Sequence, residues 1–157
     1  MTTPSHSMIL VSPEDTLALA ARLGTELAAG DVLLLEGPIG SGKTHFARSL
    51  IQSLMQVPED VPSPTFTLVQ AYDTAAGEIW HCDLYRISSV DEVEELGLIE
   101  AFDGAICLVE WPDKLGPLTP QSALTMTFET DPNETETRHL TLTWSDPKWT
   151  HKLEAIT

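Results

Sequence analysis

Val32-Leu33-Leu34-Leu35-Glu36-Gly37-Pro38-Ile39-Gly40-Ser41-Gly42-Lys43-Thr44 is the stretch from which the fold can be read. Its first four residues form a continuous apolar run, the pattern of a strand covered on both faces, as in a parallel sheet. Residues 37–44 match G-x-x-x-x-G-K-[ST] in full. Glycines at these positions let the backbone curl so that successive N–H groups converge on phosphate oxygens, and a following helix adds the positive end of its dipole. Phe46, Ala47, Leu50, Ile51 and Leu54 supply that helix with an apolar face. Gly40, Ser41, Gly42, Lys43, Thr44 and His45 are therefore expected to surround bound phosphates. Lys43 would neutralise the β- and γ-phosphates and the Thr44 hydroxyl would bind Mg²⁺, so ATP and Mg²⁺ are the expected cofactors.

Upstream, Ser12 followed by Pro13, Glu14 and Asp15 reads as a helix start: a cap, a first-turn proline and an acidic first turn. Leu17, Ala20, Ala21, Leu23, Gly24, Leu27 and Ala28 recur at helical spacing, and Gly30 is expected to close the helix. Residues 1–8 carry no Lys or Arg and read as a short disordered arm, unlike a targeting peptide. Downstream, residues 58–64 form a proline-rich loop, and residues 66–72 and 78–84 a hairpin turning at 74–77. Residues 91–96 form an acidic helix ended by Gly97, and residues 105–109 a second buried strand. Residues 124–128 and 140–144 make two late strands joined by a polar loop. The chain reads as one α/β domain with a mainly parallel core sheet, added antiparallel strands and flanking helices.

With 157 residues, 42% of them hydrophobic, there is material for one sizeable core. No apolar run approaches the roughly 18 residues that span a bilayer. Cys82 and Cys107 sit in strand-like apolar stretches, and two cysteines are too few for a disulfide framework, which favours reduced thiols and a cytoplasmic location. The chain has 24 acidic against 8 basic residues, a net charge of −16. Such a surface does not bind nucleic acid strongly through its phosphates. It serves either solubility or the docking of a basic protein partner.

A nucleotide-binding loop of this kind works with an acidic group at the end of a neighbouring strand. Glu110 closes the apolar run 105–109 and so stands at a carboxyl-terminal strand end, where it would share the Mg²⁺ with Thr44. Asp83, in His81-Cys82-Asp83-Leu84-Tyr85-Arg86, is a carboxylate in an apolar strand; it either faces an ion or pairs with Arg86. Lys43, Asp83 and Glu110 are the candidate catalytic residues. His81 and Cys82 form too small a cluster to indicate zinc. Trp80, Trp144 and Trp149 read as packing residues.

Five motifs follow in order: the phosphate loop, then Ser63-Pro64-Thr65-Phe66-Thr67-Leu68-Val69, His81-x-Asp83-Leu84-Tyr85-Arg86, Glu95-Leu96-Gly97 and Val109-Glu110-Trp111-Pro112. The set resembles the TsaE (YjeE) family of bacterial ATPases, over residues 12–116. The resemblance implies a P-loop fold that binds ATP and Mg²⁺ and works with two partner proteins, TsaB and TsaD, in threonylcarbamoyladenosine modification of tRNA. TsaD performs the transfer, and the ATPase sustains or resets turnover. By position, Lys43 and Thr44 are the P-loop pair, Glu110 the Mg²⁺-side acid, Asp83 a second functional carboxylate, Thr65 part of a switch-like segment and Trp111 the aromatic beside the site. Two positions depart from the family pattern: Pro38 stands where Asp is usual, and His45 where Ser or Thr is usual. The alternatives are a small P-loop kinase or a stand-alone NTPase. A kinase would gather several arginines and a lid, and this chain has only Arg22, Arg48, Arg86 and Arg138. No N-K-x-D motif is present to read guanine.

Overall fold

Residues 3–55, 61–62 and 68–157 are described by the computed structural model. In chain order the elements are β1 (Ser5–Leu10), α1 (Pro13–Gly24), β2 (Val32–Glu36), α2 (Lys43–Ser53), β3 (Val69–Thr74), β4 (Gly77–Asp83), α3 (Val90–Glu95), α4 (Leu98–Gly104), β5 (Ile106–Glu110), β6 (Leu124–Thr130), β7 (Arg138–Thr143) and α5 (Pro147–Glu154). A 3-10 segment, Pro112–Leu118, follows β5.

The strands form a sheet of seven, in the order β1-β7-β6-β2-β5-β4-β3. β6, β2, β5 and β4 run parallel, and antiparallel strands extend the sheet at both sides: β7 and β1 beyond β6, and β3 beyond β4. This is the mixed α/β architecture expected. β2 and β5, in the middle, are almost wholly apolar because each packs against helices on both faces. Alternation sorts their side chains into two cores. Leu33, Leu35, Ile106 and Leu108 pack with Leu19 and Leu23 of α1, Phe46 and Leu50 of α2, and Trp149 of α5. Val32, Leu34, Cys107 and Val109 pack on the other side with Val93 of α3 and Leu98 of α4.

Two expectations about the N-terminal region need correction. Residues 1–8 were expected to be a disordered arm, yet Ser5–Leu10 is an edge strand paired with β7 from Ser5↔Thr143 to Leu10↔Arg138. Ser5, His6 and Ser7 are polar and exposed, and the apolar run Met8-Ile9-Leu10-Val11 comes only at the strand's end, where Leu10 enters the core; the rest is held by backbone pairing. The first helix ends at Gly24, not at Gly30, where Thr25 caps it through its hydroxyl on the Arg22 carbonyl at 2.8 Å. Gly30 instead takes a left-handed turn (φ 94°) into β2. The acidic helix before Gly97 and the two late strands lie within about two residues of the expected bounds. The hairpin is present but its first strand runs Val69–Thr74 instead of 66–72, with Leu68 left-handed (φ 65°) and residues 66–67 outside the described ones, while α4 and α5 carried no sequence expectation. Trp149 is fully buried, as a packing residue should be. Cys82 and Cys107 are free and buried, and burial with the field of Glu78 pushes the Cys107 thiol up to about 12. Thr65 and most of the proline-rich loop lie outside the described residues. No helix among the described residues is long and apolar enough to cross a membrane.

The C-terminal helix is fastened by one buried carboxylate. Asp31, 3% exposed, accepts from Lys148 Nζ at 2.9 Å, from Lys152 Nζ at 2.8 Å and from the Ala28 N–H at 2.9 Å. Burial alone would raise its carboxyl; the hydrogen bonds from Lys152, Lys148 and Ala28 outweigh that and hold it below its ordinary value of 3.8. A depressed carboxyl stabilises the fold above its unfolded pKa, and the contribution is lost as pH falls through the folded value. Asp31→Asn should therefore cost about 2 kcal/mol near neutrality, with variant and wild type converging below pH ~4. Denaturant unfolding across pH measures this; a gap that does not narrow in acid refutes it.

Candidate functional site

Parallel strands bring their carboxyl ends to one edge of the sheet, which is where open α/β sheets bind ligands. β2 ends at Glu36 and leads into the loop that starts α2, while β4 and β5 end on Asp83 and Glu110, level with each other in the sheet register. The loop's geometry is set by glycine. Gly40 and Gly42 are left-handed, with φ 80° and 105°. At Gly37 a Cβ would stand 2.5 Å from the Phe128 carbonyl and 2.7 Å from Ser41 Oγ, so no side chain fits there. Pro38 is accommodated, since its carbonyl accepts the Ser41 N–H at 3.2 Å. His45, the other departure, turns its Nε2 to the Pro13 carbonyl at 3.2 Å, which ties α2 to the start of α1.

Alternation along β4 puts His81 and Asp83 on the same face as Glu110 of β5, the face that carries α2. A chain of polar contacts results. Thr44 Oγ1 donates to Glu110 Oε1 at 2.8 Å, and Glu110 Oε2 stands 2.8 Å from His81 Nε2. Glu110 is 2% exposed and His81 fully buried. Since the carboxylate only accepts, His81 Nε2 is the N–H donor, and the ring's Nδ1 has no hydrogen-bond partner. His81 thus orients the carboxylate that faces Thr44. Asp83 Oδ1 accepts the Tyr85 N–H at 3.0 Å.

Lys43 is 4% exposed. Its ammonium donates to the Gly37 carbonyl at 2.5 Å and lies 3.5 Å from the centre of the Trp111 ring. Burial lowers its pKa, while the fields of Glu110, Asp83 and Asp113 oppose that shift. Trp111 holds this position through a left-handed backbone (φ 59°), a conformation costly for a bulky residue and found chiefly where function constrains the chain. The Tyr85 ring packs 5.0 Å from it.

These groups line a cleft of about 730 Å³ that contains Gly40, Gly42, Lys43, Thr44, His45, Asp83, Glu110 and Trp111. Every candidate site residue except Ser41 is in this lining. Ser41 is buried in the loop, its Oγ without a hydrogen-bond partner. The residues fit the expected cofactors: a buried ammonium and a glycine loop at a helix start for phosphates, and a hydroxyl and carboxylate, both hard oxygen donors, for Mg²⁺. No group of three His, Cys, Asp or Glu side chains gathers among the described residues, so phosphate oxygens and water would complete the ion's shell. Sequence reasoning missed Arg138, which reaches the loop from β7, and Pro13, Thr16, Thr135 and Glu136, which also line the cleft. It also missed the role of His81, for which a signal existed: a polar residue two places before Asp83 in an apolar strand shares its face.

Comparison with known proteins agrees with this geometry. The family model described as threonylcarbamoyl adenosine biosynthesis protein TsaE matches residues 10–140. The tRNA threonylcarbamoyladenosine biosynthesis protein TsaE of Rickettsia bellii is 41% identical over 112 residues, 71% of this chain and 78% of that protein. The Bacillus subtilis protein of the same name is 41% identical over 115 residues, 73% of this chain and 71% of its own. The match to the Rickettsia felis protein, 42% identical, spans 68% of this chain and 62% of that relative. A crystal structure of YdiB from Bacillus subtilis superposes with a TM-score of 0.82 at 27% identity, covering 99% of this chain and 96% of that one. A phosphate loop, an acidic strand end and a match running through both place the chain in the TsaE family.

Proposed function

We infer that this chain is a Mg²⁺-dependent ATPase that serves tRNA threonylcarbamoyladenosine biosynthesis in the cytoplasm, within a complex containing TsaB and TsaD homologues. The observation that carries the reading is the 2.8 Å contact between Thr44 Oγ1 and Glu110 Oε1. It joins the hydroxyl after the P-loop lysine to a carboxylate at a neighbouring strand end, the two protein oxygens from which a P-loop enzyme holds its metal. Bound there with Mg²⁺, ATP would supply the phosphoryl group that water takes, leaving ADP and phosphate. Lys43 would lend its charge to the β- and γ-phosphates, the loop N–H groups would cradle them, and Asp83, level with Glu110, would orient water or the ion's shell. Trp111 closes the cleft beside Lys43 and keeps bulk water from the ammonium.

Hydrolysis by the isolated chain should be slow. A cation aimed at the transition-state charge is worth about 10³–10⁵ in rate. Arg138, which lines the cleft together with Arg86, gives its hydrogen bonds to carbonyl oxygens. A net charge of −16 favours a partner with a basic face, which could complete the site, and disfavours strong direct contact with tRNA. The test is steady-state phosphate release by the purified chain, alone and with TsaB and TsaD homologues, at two salt concentrations. Turnover well below the roughly 1–100 s⁻¹ of kinases, raised by the partners and less so at high salt, is the expected result. Fast turnover alone, without stimulation, overturns the accessory role in favour of a kinase or stand-alone NTPase.

A further inference from the structure

The phosphate loop is joined by one side chain to a part of the molecule far away in sequence. Arg138, the first residue of β7, donates from Nε to the Ser41 carbonyl at 3.0 Å and from Nη2 to the Gly40 carbonyl at 3.3 Å. Its Nη1 donates to the carbonyls of Thr135 at 2.7 Å and Thr137 at 3.0 Å, in the turn between β6 and β7. One planar fork thus grips two consecutive carbonyls of the loop and two of the turn. A lysine, with its compact point charge, cannot span that set.

The two loop carbonyls are the ones whose direction matters. In a trans peptide the C=O and the following N–H point opposite ways. Holding the Gly40 and Ser41 oxygens on the guanidinium therefore turns the N–H groups of Ser41 and Gly42 away from it, the first onto the Pro38 carbonyl inside the loop. Gly40 and Gly42 have left-handed backbones and no Cβ to restrict them; the Ser41 N–H on the Pro38 carbonyl at 3.2 Å helps to hold the first of those peptide planes, and the guanidinium holds the oxygens of both. A carbonyl oxygen swung into the cleft would repel a phosphate. The turn that supplies Arg138 also places Thr135 and Glu136 on the cleft wall, so the clamp couples two sides of one site.

We propose that Arg138 is a positioning residue of the phosphate loop, holding the Gly40 and Ser41 carbonyls so that the loop's N–H groups are set to receive the β-phosphate of a nucleoside diphosphate or triphosphate. This rests on the reading of the cleft as the ATP site. The experiment uses the full chain as wild type, Arg138→Ala and Arg138→Lys, with ADP titrated by calorimetry and backbone amide spectra recorded without nucleotide. Both variants should bind ADP about tenfold or more weakly, lysine failing with alanine because the fork and not the charge is required. Amide shifts should change at residues 37–45 and 131–138 and stay in place along β2 and β5. Wild-type ADP affinity in either variant overturns the proposal, as do shifts spread through the central strands, which would mark a general loss of packing. Should Arg138→Ala fail to fold, the lysine variant carries the same two readouts. Failure of the wild type to bind ADP defeats the ATP reading itself, and the clamp with it.

Discussion

Replacing Lys43 with alanine should abolish tight ATP binding while the chain stays folded. The ammonium is buried in the cleft, between the Gly37 carbonyl and the face of Trp111, and within the fields of Glu110 and Asp83. A cation held there without solvent is placed to meet polyphosphate charge, and charge-assisted hydrogen bonds to phosphate are among the strong ones. Their loss should weaken ATP binding by about a hundredfold. Stability should change little, because Lys43 is the first residue of α2 and the helix is fixed by Phe46, Ala47, Leu50 and Ile51 in the core. Alanine is also the best helix former. Calorimetric titration of the folded variant decides the matter; an unchanged ATP affinity defeats the phosphate-loop assignment.

Glu110→Gln should keep nucleotide binding and lose most Mg²⁺-dependent turnover, by about a hundredfold. The substitution preserves shape where shape matters, since the side chain is buried between the Thr44 hydroxyl and the His81 ring. A carboxylate accepts from both neighbours at once, whereas an amide presents one oxygen and one NH₂. One of the two contacts must then reverse its donor and acceptor roles, which the hydroxyl or the imidazole can do by rotation or change of tautomer. The fold survives on that account, but the negative charge facing Thr44 does not, and a hard divalent ion binds a neutral amide oxygen less well. Phosphate release across a Mg²⁺ titration, beside calorimetry with ADP, separates the two functions. Hydrolysis at the wild-type rate would transfer the role to Asp83, which lies level with Glu110 in the adjacent strand.

Local chemistry made much of this legible before any coordinates. Residues 32–44 specify strand, loop and helix because glycines, a lysine and a hydroxyl are required at fixed spacing and an apolar run must be covered on both sides. Glu110 was legible for the same kind of reason: a carboxylate that ends a buried strand lies at the sheet's carboxyl edge. Helix and strand termini were less secure where capping is redundant. Gly30 was a plausible stop signal, but Thr25 ended the helix first with its own hydroxyl.

What only the tertiary structure decided are the contacts between residues distant in sequence. Strand order places β6 beside β2 and β7 beside β6, and that order carries Arg138 to the loop, 97 residues away from Ser41. No pattern around Arg138 foretells this, since its partners are backbone carbonyls, which every residue possesses. The edge strand β1 escaped notice similarly: its first three side chains are polar and exposed, and the open edge of β7 gives its N–H and C=O groups a reason to be extended. Sequence encodes side-chain chemistry and its local period; which backbone groups meet is settled when the sheet closes its hydrogen bonds and buries its two apolar faces.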